Sequence, residues 1–180
     1  MEDILDRLSA AEALEVLRRL CAADSKLRER ILSEAKKVLS SVNADEIAAE
    51  VYDGLGGIDV EELWDRSGAS RDGYQSPEDM AMQMVEEELE PYVDKMRQYQ
   101  EMGMSRQARG YCMGILKGVY DFNHKSTSEF KNWATDMPEE CFGSLLDDWR
   151  RGCSQKGDFD EMDKFISDQC PDWAKWALKK

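Results

Sequence analysis

"GYCMGILKG", residues 110–118, repeats glycine at every fourth position, Gly110, Gly114 and Gly118, in an otherwise largely apolar run. Residues four apart return to the same side of an α-helix, so the three form a strip bare of side chains. Helical glycine is about 1 kcal/mol worse than alanine, so the strip gives up ~3 kcal/mol that packing has to recover. Small residues at this spacing let a second backbone come close, as they do between membrane helices. Lys117 and the polar flanks SRQAR and DFNHK exclude insertion into a bilayer here. A neighbouring helix or a ligand is left to fill the groove. The helix is the expected occupant, and the one joined through Gly103 is its natural source. The carrier helix is predicted over 105–122, capped by Ser105, with Tyr111, Ile115, Leu116, Val119, Tyr120 and Phe122 as its bulk.

Helix signals continue outward from this segment. A cap residue stands three before a glutamate at Ser9/Glu12, Asn43/Glu46, Asp59/Glu62, Ser126/Glu129 and Asp158/Glu161, the spacing that satisfies exposed amides at a helix start. Ser76 followed by Pro77 is a sixth start. Apolar residues recur with helical period at Leu14, Leu17, Leu20 and Cys21, then Leu27, Ile31, Ala35, Val38 and Leu39, then Ile47, Val51 and Leu55. From Met80 to Tyr99 the period runs straight through Pro91, which predicts one kinked helix over about 77–102, with two abutting helices as the alternative. No convincing alternating strand is found. The fold class expected is all-α: about nine or ten helices in antiparallel pairs, forming a compact or irregular solenoid-like (α–α superhelix) array. "SGASRDGYQS", 67–76, has no helical period and is predicted as a loop or hinge. Residues 1–180 are thus expected as one helical domain whose division, if any, separates an acidic 1–66 from 77–180.

The formal charge of −14 is placed unevenly. Between Asn43 and Asp94 there are sixteen acids against two bases, Arg66 and Arg71. Such a surface repels a phosphate backbone, because nucleic-acid affinity comes from basic groups that release counterions. It suits a basic protein partner or a solvated face. No run approaches the ~18 apolar residues of a membrane span, and the start MEDILDRLSAAE does not read as a secretory signal, so the expected location is cytoplasmic. The five cysteines are odd in number, widely spaced and without a Cys-x-x-Cys pair, and there is one histidine. Structural zinc needs four such ligands, usually in close pairs; no metal site is expected.

The segments "GIDVEELWDRSG", "RDGYQSPEDM", "EEELEPYVDKMRQYQEMG" and "GYCMGILKGVYDF" together resemble the helical region found beside SWIM-type zinc fingers in prokaryotic proteins, over roughly residues 1–150. The family's metal motif, Cys-x-Cys followed by Cys-x-His, is absent, so neither its zinc nor its nucleic-acid role carries over. The resemblance implies an α-helical, repeat-like module that scaffolds interactions, with no catalytic residue.

Few residues carry chemistry. Glu86, Glu90 and Asp94 recur every four residues and Glu87 stands beside them. Like charges at that spacing weaken a helix slightly, and a cationic neighbour would relieve them; these four are the candidate partner-binding residues. Cys141 is placed in the first turn of a helix after Pro138, where the dipole favours thiolate, but Glu139 and Glu140 oppose it. Asp158 reads as a helix cap. His124 is expected at a helix end or in a loop, facing Asp121. Trp173 and Trp176 lie three apart on a short tail helix with Lys175, Lys179 and Lys180, expected to dock in cis. No catalytic constellation or cofactor motif appears. The expected function is a non-enzymatic protein–protein interaction module that offers acid to a basic partner. Two alternatives stay open: a nucleic-acid-mimicking regulator of a DNA- or RNA-binding protein, and a divalent-cation-binding protein or enzyme built on the carboxylates.

Overall fold

The cap residues set the helix starts. Ser9 accepts from the amide of Glu12, whose carboxylate returns a bond to the Ser9 amide at 2.9 Å, closing the capping box over α1 (Ala10–Ala23). Asp24 ends α1 and begins α2 (Ser25–Leu39), accepting from the amides of Lys26 and Leu27. Asn43 caps α3 (Ala44–Gly56) and Asp59 caps α4 (Val60–Arg66). Ser76, with Pro77 at the first helical position, caps α5 (Pro77–Glu101), which runs unbroken through an exposed Pro91. There follow α6 (Ser105–Lys125), α7 (Met137–Gly152), α8 (Lys156–Gln169) and α9 (Pro171–Ala177), with 3-10 turns at Ile4–Arg7 and Glu129–Trp133. The computed structural model describes residues 4–70 and 73–179. Among these the protein is all-α, with nine α-helices.

Three starts differ from expectation. Met104, without a side-chain bond, precedes α6 in place of Ser105, which is already helical. Ser126 ends α6; its hydroxyl accepts from the Ser128 amide in the turn toward Glu129–Trp133. Asp158 lies inside α8, not at its cap. The expected loop at 67–76 is an antiparallel two-stranded hairpin, β1 (Gly68–Ser70) and β2 (Gly73–Gln75). Three-residue strands are too short to show alternation, and Gly68 and Gly73 adopt φ of 103° and 133°, which side chains avoid. Arg71 lies outside the described residues.

The chain divides between Ser41 and Val42 into two compact units, not at 67–76. The reason is the packing of what precedes that segment: α3 lies along α6, and α4 against α5, so a boundary there would cut through the core. The first unit is the α1–α2 hairpin. In the second, α6 is the central rod, with α3, α5, α7 and α8 around it. Its core holds Phe122, Phe130, Phe142 and Trp149, each at most 1% exposed.

The glycine strip of α6 takes a helix, and the occupant is α3 rather than α5. A Cβ at Gly114 would stand 2.7 Å from Ile47 Cβ and 2.8 Å from the Ala44 carbonyl oxygen. At Gly118 it would meet Val51 Cβ at 2.6 Å and the Ala48 carbonyl oxygen at 2.8 Å. At Gly110 the nearest atom is Val42 Cγ1 at 3.3 Å. What fills the strip is the backbone of α3 itself, through the Ala44 and Ala48 carbonyls, with the β-carbons of Ile47 and Val51 seated over the glycines. The buried face of α5 is built largely from Met80, Met84, Val85, Leu89, Met96 and Tyr99, which hold a neighbour at side-chain distance.

The tail docks in cis. Trp173 is 3% exposed, with its ring edge-on to Tyr120 and Phe142 at 5.1 Å from each, while Trp176 stays 39% exposed over Phe142. Tyr120 donates from its hydroxyl to Asp172 at 3.1 Å, and His124 reaches the same carboxylate at 3.3 Å.

His124 therefore serves α9, and Asp121 turns elsewhere. Burial works against the Asp121 charge, but Lys117 and Lys125 each donate to it at 2.8 Å and hold its carboxyl below the ordinary value of 3.8. A depressed carboxyl adds stability above its unfolded pKa and loses it as pH falls through the folded value. Asp121→Asn is therefore expected to lower the melting temperature at pH 7, with the difference from wild type narrowing as pH falls below the ordinary carboxyl value of 3.8. Paired thermal melts across pH measure this; a gap that persists in acid contradicts it.

Candidate functional site

The candidate site is a groove of about 560 Å³ between α5 and α7. Helical period puts Leu89 and Val93 of α5 opposite Cys141 and Leu145 of α7, and these form an apolar floor. Glu86, Glu87 and Glu90 stand along one wall, and Glu140 faces them from α7. At one end Arg97 and Arg151 each donate to Asp148 at 2.8 Å and close the charge there. Met82, 41% exposed, lines the groove with the acids.

Three of the four sequence-predicted residues, Glu86, Glu87 and Glu90, thus share one wall. Asp94 does not line it; one turn on, it pairs with Arg97 at 3.6 Å. Glu87 accepts from Arg66 at 2.7 Å and from Gln83 at 2.6 Å, which together hold its carboxyl below the usual range. It also lines a second, polar recess of about 300 Å³ with Asp59, Glu62 and Glu88. Glu86, Glu90 and Glu140 have no ion-pair partner among the described residues, so three of the four glutamates stand uncompensated over an apolar floor, Glu87 alone being neutralised by Arg66.

Cys141 is the fifth residue of α7, beyond the first turn, and is buried in the floor. Burial, with Glu86 and Glu140 adding negative charge, pushes its thiol up to about 11, so it stays protonated and is a poor nucleophile at neutral pH. Burial likewise raises Cys112, and lifts Cys170 to about 12. All five cysteines are free. A maleimide reagent at pH 7.5 is expected to label half-exposed Cys21 and Cys153 first and to leave Cys112, Cys141 and Cys170 unmodified until urea is added. Mass spectrometry of the native digest reads this directly; early labelling of Cys141 would contradict it.

One charged constellation escaped the sequence. Arg109 of α6 pairs across to Asp158 and Glu161 of α8. The Arg109 side chain is 11% exposed and that of Asp158 is 9%, and Asp158 Oδ2 has no hydrogen-bond partner. Asp158, Met162 and Ile166 share one stripe at four-residue spacing and are all buried. The four-residue spacing was the local signal that Asp158 faces the core, but nothing local named Arg109 as its partner.

Among the described residues no group of three or more His, Cys, Asp or Glu side chains is arranged to hold a metal ion. None of their helices is long and apolar enough to cross a membrane. Compared with known proteins, the chain matches no family model, no curated protein and no solved structure.

Proposed function

We propose that the protein is a non-enzymatic interaction module of the cytoplasm whose α5–α7 groove takes an amphipathic helix with a basic rim. The observation that carries this is the groove's cross-section. Its floor offers half-buried Val93 beside the edges of buried Leu89 and Leu145, with exposed Met82 at the rim, and its walls offer Glu86, Glu90 and Glu140 without internal counter-charge. A helix in a groove is held by apolar anchors at i, i+3, i+4 and i+7. Unpaired carboxylates beside them select Lys and Arg, speed encounter and exclude acidic competitors. Five unpaired cysteines accord with a reducing compartment.

The test is fluorescence anisotropy with labelled helical peptides that share an apolar face and differ in rim charge. The Lys/Arg-rimmed peptide is expected to bind, to weaken as salt shortens the Debye length below ~8 Å, and to lose about tenfold with Glu86→Gln, Glu87→Gln and Glu90→Gln combined. Charge reversal at the same three positions should abolish recovery of the partner. Equal binding of acid-rimmed and base-rimmed peptides, or partner recovery unchanged by reversal, overturns the proposal. Competition with nucleic acid for the partner's own site would mark it as a charge mimic of nucleic acid instead.

A further inference from the structure

The first unit has a feature that a two-helix hairpin does not explain. None of the residues of α1 or α2 is buried. Leu14, Val16, Leu17 and Leu20 of α1 are 39–46% exposed, and Leu32 and Val38 of α2 are 50% and 77% exposed. On a helical projection the apolar residues of α1, from Val16 round to Leu14, span an arc of roughly 160°, and those of α2, from Leu27 to Leu32, roughly 140°. A seam between two helices needs only the narrow a/d stripe, whereas arcs above ~100° face a core. Helices of 14 and 15 residues are also marginal in water without such a core.

We propose that this hairpin is a dimerisation element whose open face is covered by the α1–α2 hairpin of a second copy, giving an intermolecular four-helix bundle. Two hairpins related by a twofold axis supply four wide arcs, the number such a bundle closes. Charge favours a second copy over the basic partner of the acidic groove. Residues 1–41 hold eight Lys and Arg and eight Asp and Glu, so two of these units meet without net repulsion. The entire −14 belongs to residues 42–180. On the polar side Arg19 pairs with Glu15 and Lys37 with Glu34, both within their own helices, which leaves the apolar arcs as the adhesive surface. The six exposed side chains leave roughly 500 Å² of apolar surface per chain, or ~1,000 Å² over two copies. That reaches the ~1,000 Å² a biological interface has to clear.

The experiment is sedimentation equilibrium of the full chain from about 1 to 100 µM, since self-association moves with concentration. The expected result is a shift from 20.7 kDa toward twice that mass, lost in Leu17→Glu/Leu20→Glu and retained in Glu86→Gln/Glu90→Gln. Because the double glutamate variant can unfold the hairpin, a second measurement uses Cys21, half-exposed on the α1 arc. A short bismaleimide should crosslink native chains into dimers, and Cys21→Ser should remove the product. A single 20.7 kDa species at every concentration, with the face covered within the chain or by some other protein, overturns the proposal. So does a dimer that survives Leu17→Glu/Leu20→Glu or whose crosslink does not depend on Cys21. Groove binding measured by anisotropy is independent of all these outcomes.

Discussion

Arg109→Met is expected to destabilise the protein by about 3–5 kcal/mol, the cost of leaving a buried charge without its partner. The stranded group is Asp158, 93% of whose surface is removed from solvent and whose Oδ2 already lacks a hydrogen bond. Glu161, the second acid on Arg109, has a side chain 63% exposed, so its removal alone should cost no more than ~1 kcal/mol, as for a surface pair. The asymmetry makes the prediction specific. A buried pair replaced whole by apolar side chains is often neutral or stabilising. Arg109→Met with Asp158→Leu should therefore recover most of what Arg109→Met loses. Urea denaturation followed by tryptophan fluorescence gives the four corners of the cycle. A loss near 1 kcal/mol for Arg109→Met, or a double variant worse than the single, would show that water reaches Asp158 and that the pair behaves as a surface contact.

Helix positions were legible because they rest on local chemistry. Ser9, Asn43, Asp59 and Ser76 bond to amides two or three residues away, and such bonds need nothing from the rest of the chain. Asp158 failed because its partner, Arg109, lies 49 residues away; a cap motif is a local pattern and cannot register that competition. The glycine strip announced a close neighbour but not which one. That is decided by tertiary packing, which brings Ile47, Val51 and the Ala44 and Ala48 carbonyls of α3 onto the glycines. The acid wall of the groove was visible as a ladder, since Glu86 and Glu90 share a helix face. Its floor was not, because Cys141 and Leu145 arrive from α7 through tertiary packing. The α1–α2 arcs were visible as periodic apolar residues, but only burial reveals that their width exceeds what the hairpin covers.

Gly118→Leu is expected to be the most damaging change in the glycine strip, and the three strip glycines should not be equivalent. Even alanine at Gly118 places a carbon 2.6 Å from Val51 Cβ and 2.8 Å from the Ala48 carbonyl. The carbonyl belongs to the backbone of α3, so relief requires the whole helix to move. Overpacking of that kind costs typically 1–3 kcal/mol, against a gain of about 1 kcal/mol from alanine's helix propensity, and the balance is a net loss. Gly114→Ala meets Ile47 Cβ at 2.7 Å and the Ala44 carbonyl at 2.8 Å and should lose a similar amount. Leucine at Gly118 adds three more carbons with no space, pushing α3 away and exposing Ile47, Ala48, Val51 and Leu55, all at most 7% exposed. The cost should then exceed ~3 kcal/mol, because burial is lost as well as strain added. Gly110→Ala is the control. Its added carbon stands 3.3 Å from Val42 Cγ1, a half-buried side chain ahead of α3 that yields by a few tenths of an ångström, so the propensity gain survives and the variant should match or exceed wild type. Thermal melts should rank Gly110→Ala at or above wild type, then Gly114→Ala and Gly118→Ala, then Gly118→Leu. If the alanine variants at 110 and 118 shift stability equally, the strip is not what admits α3, and its helical cost has some other cause.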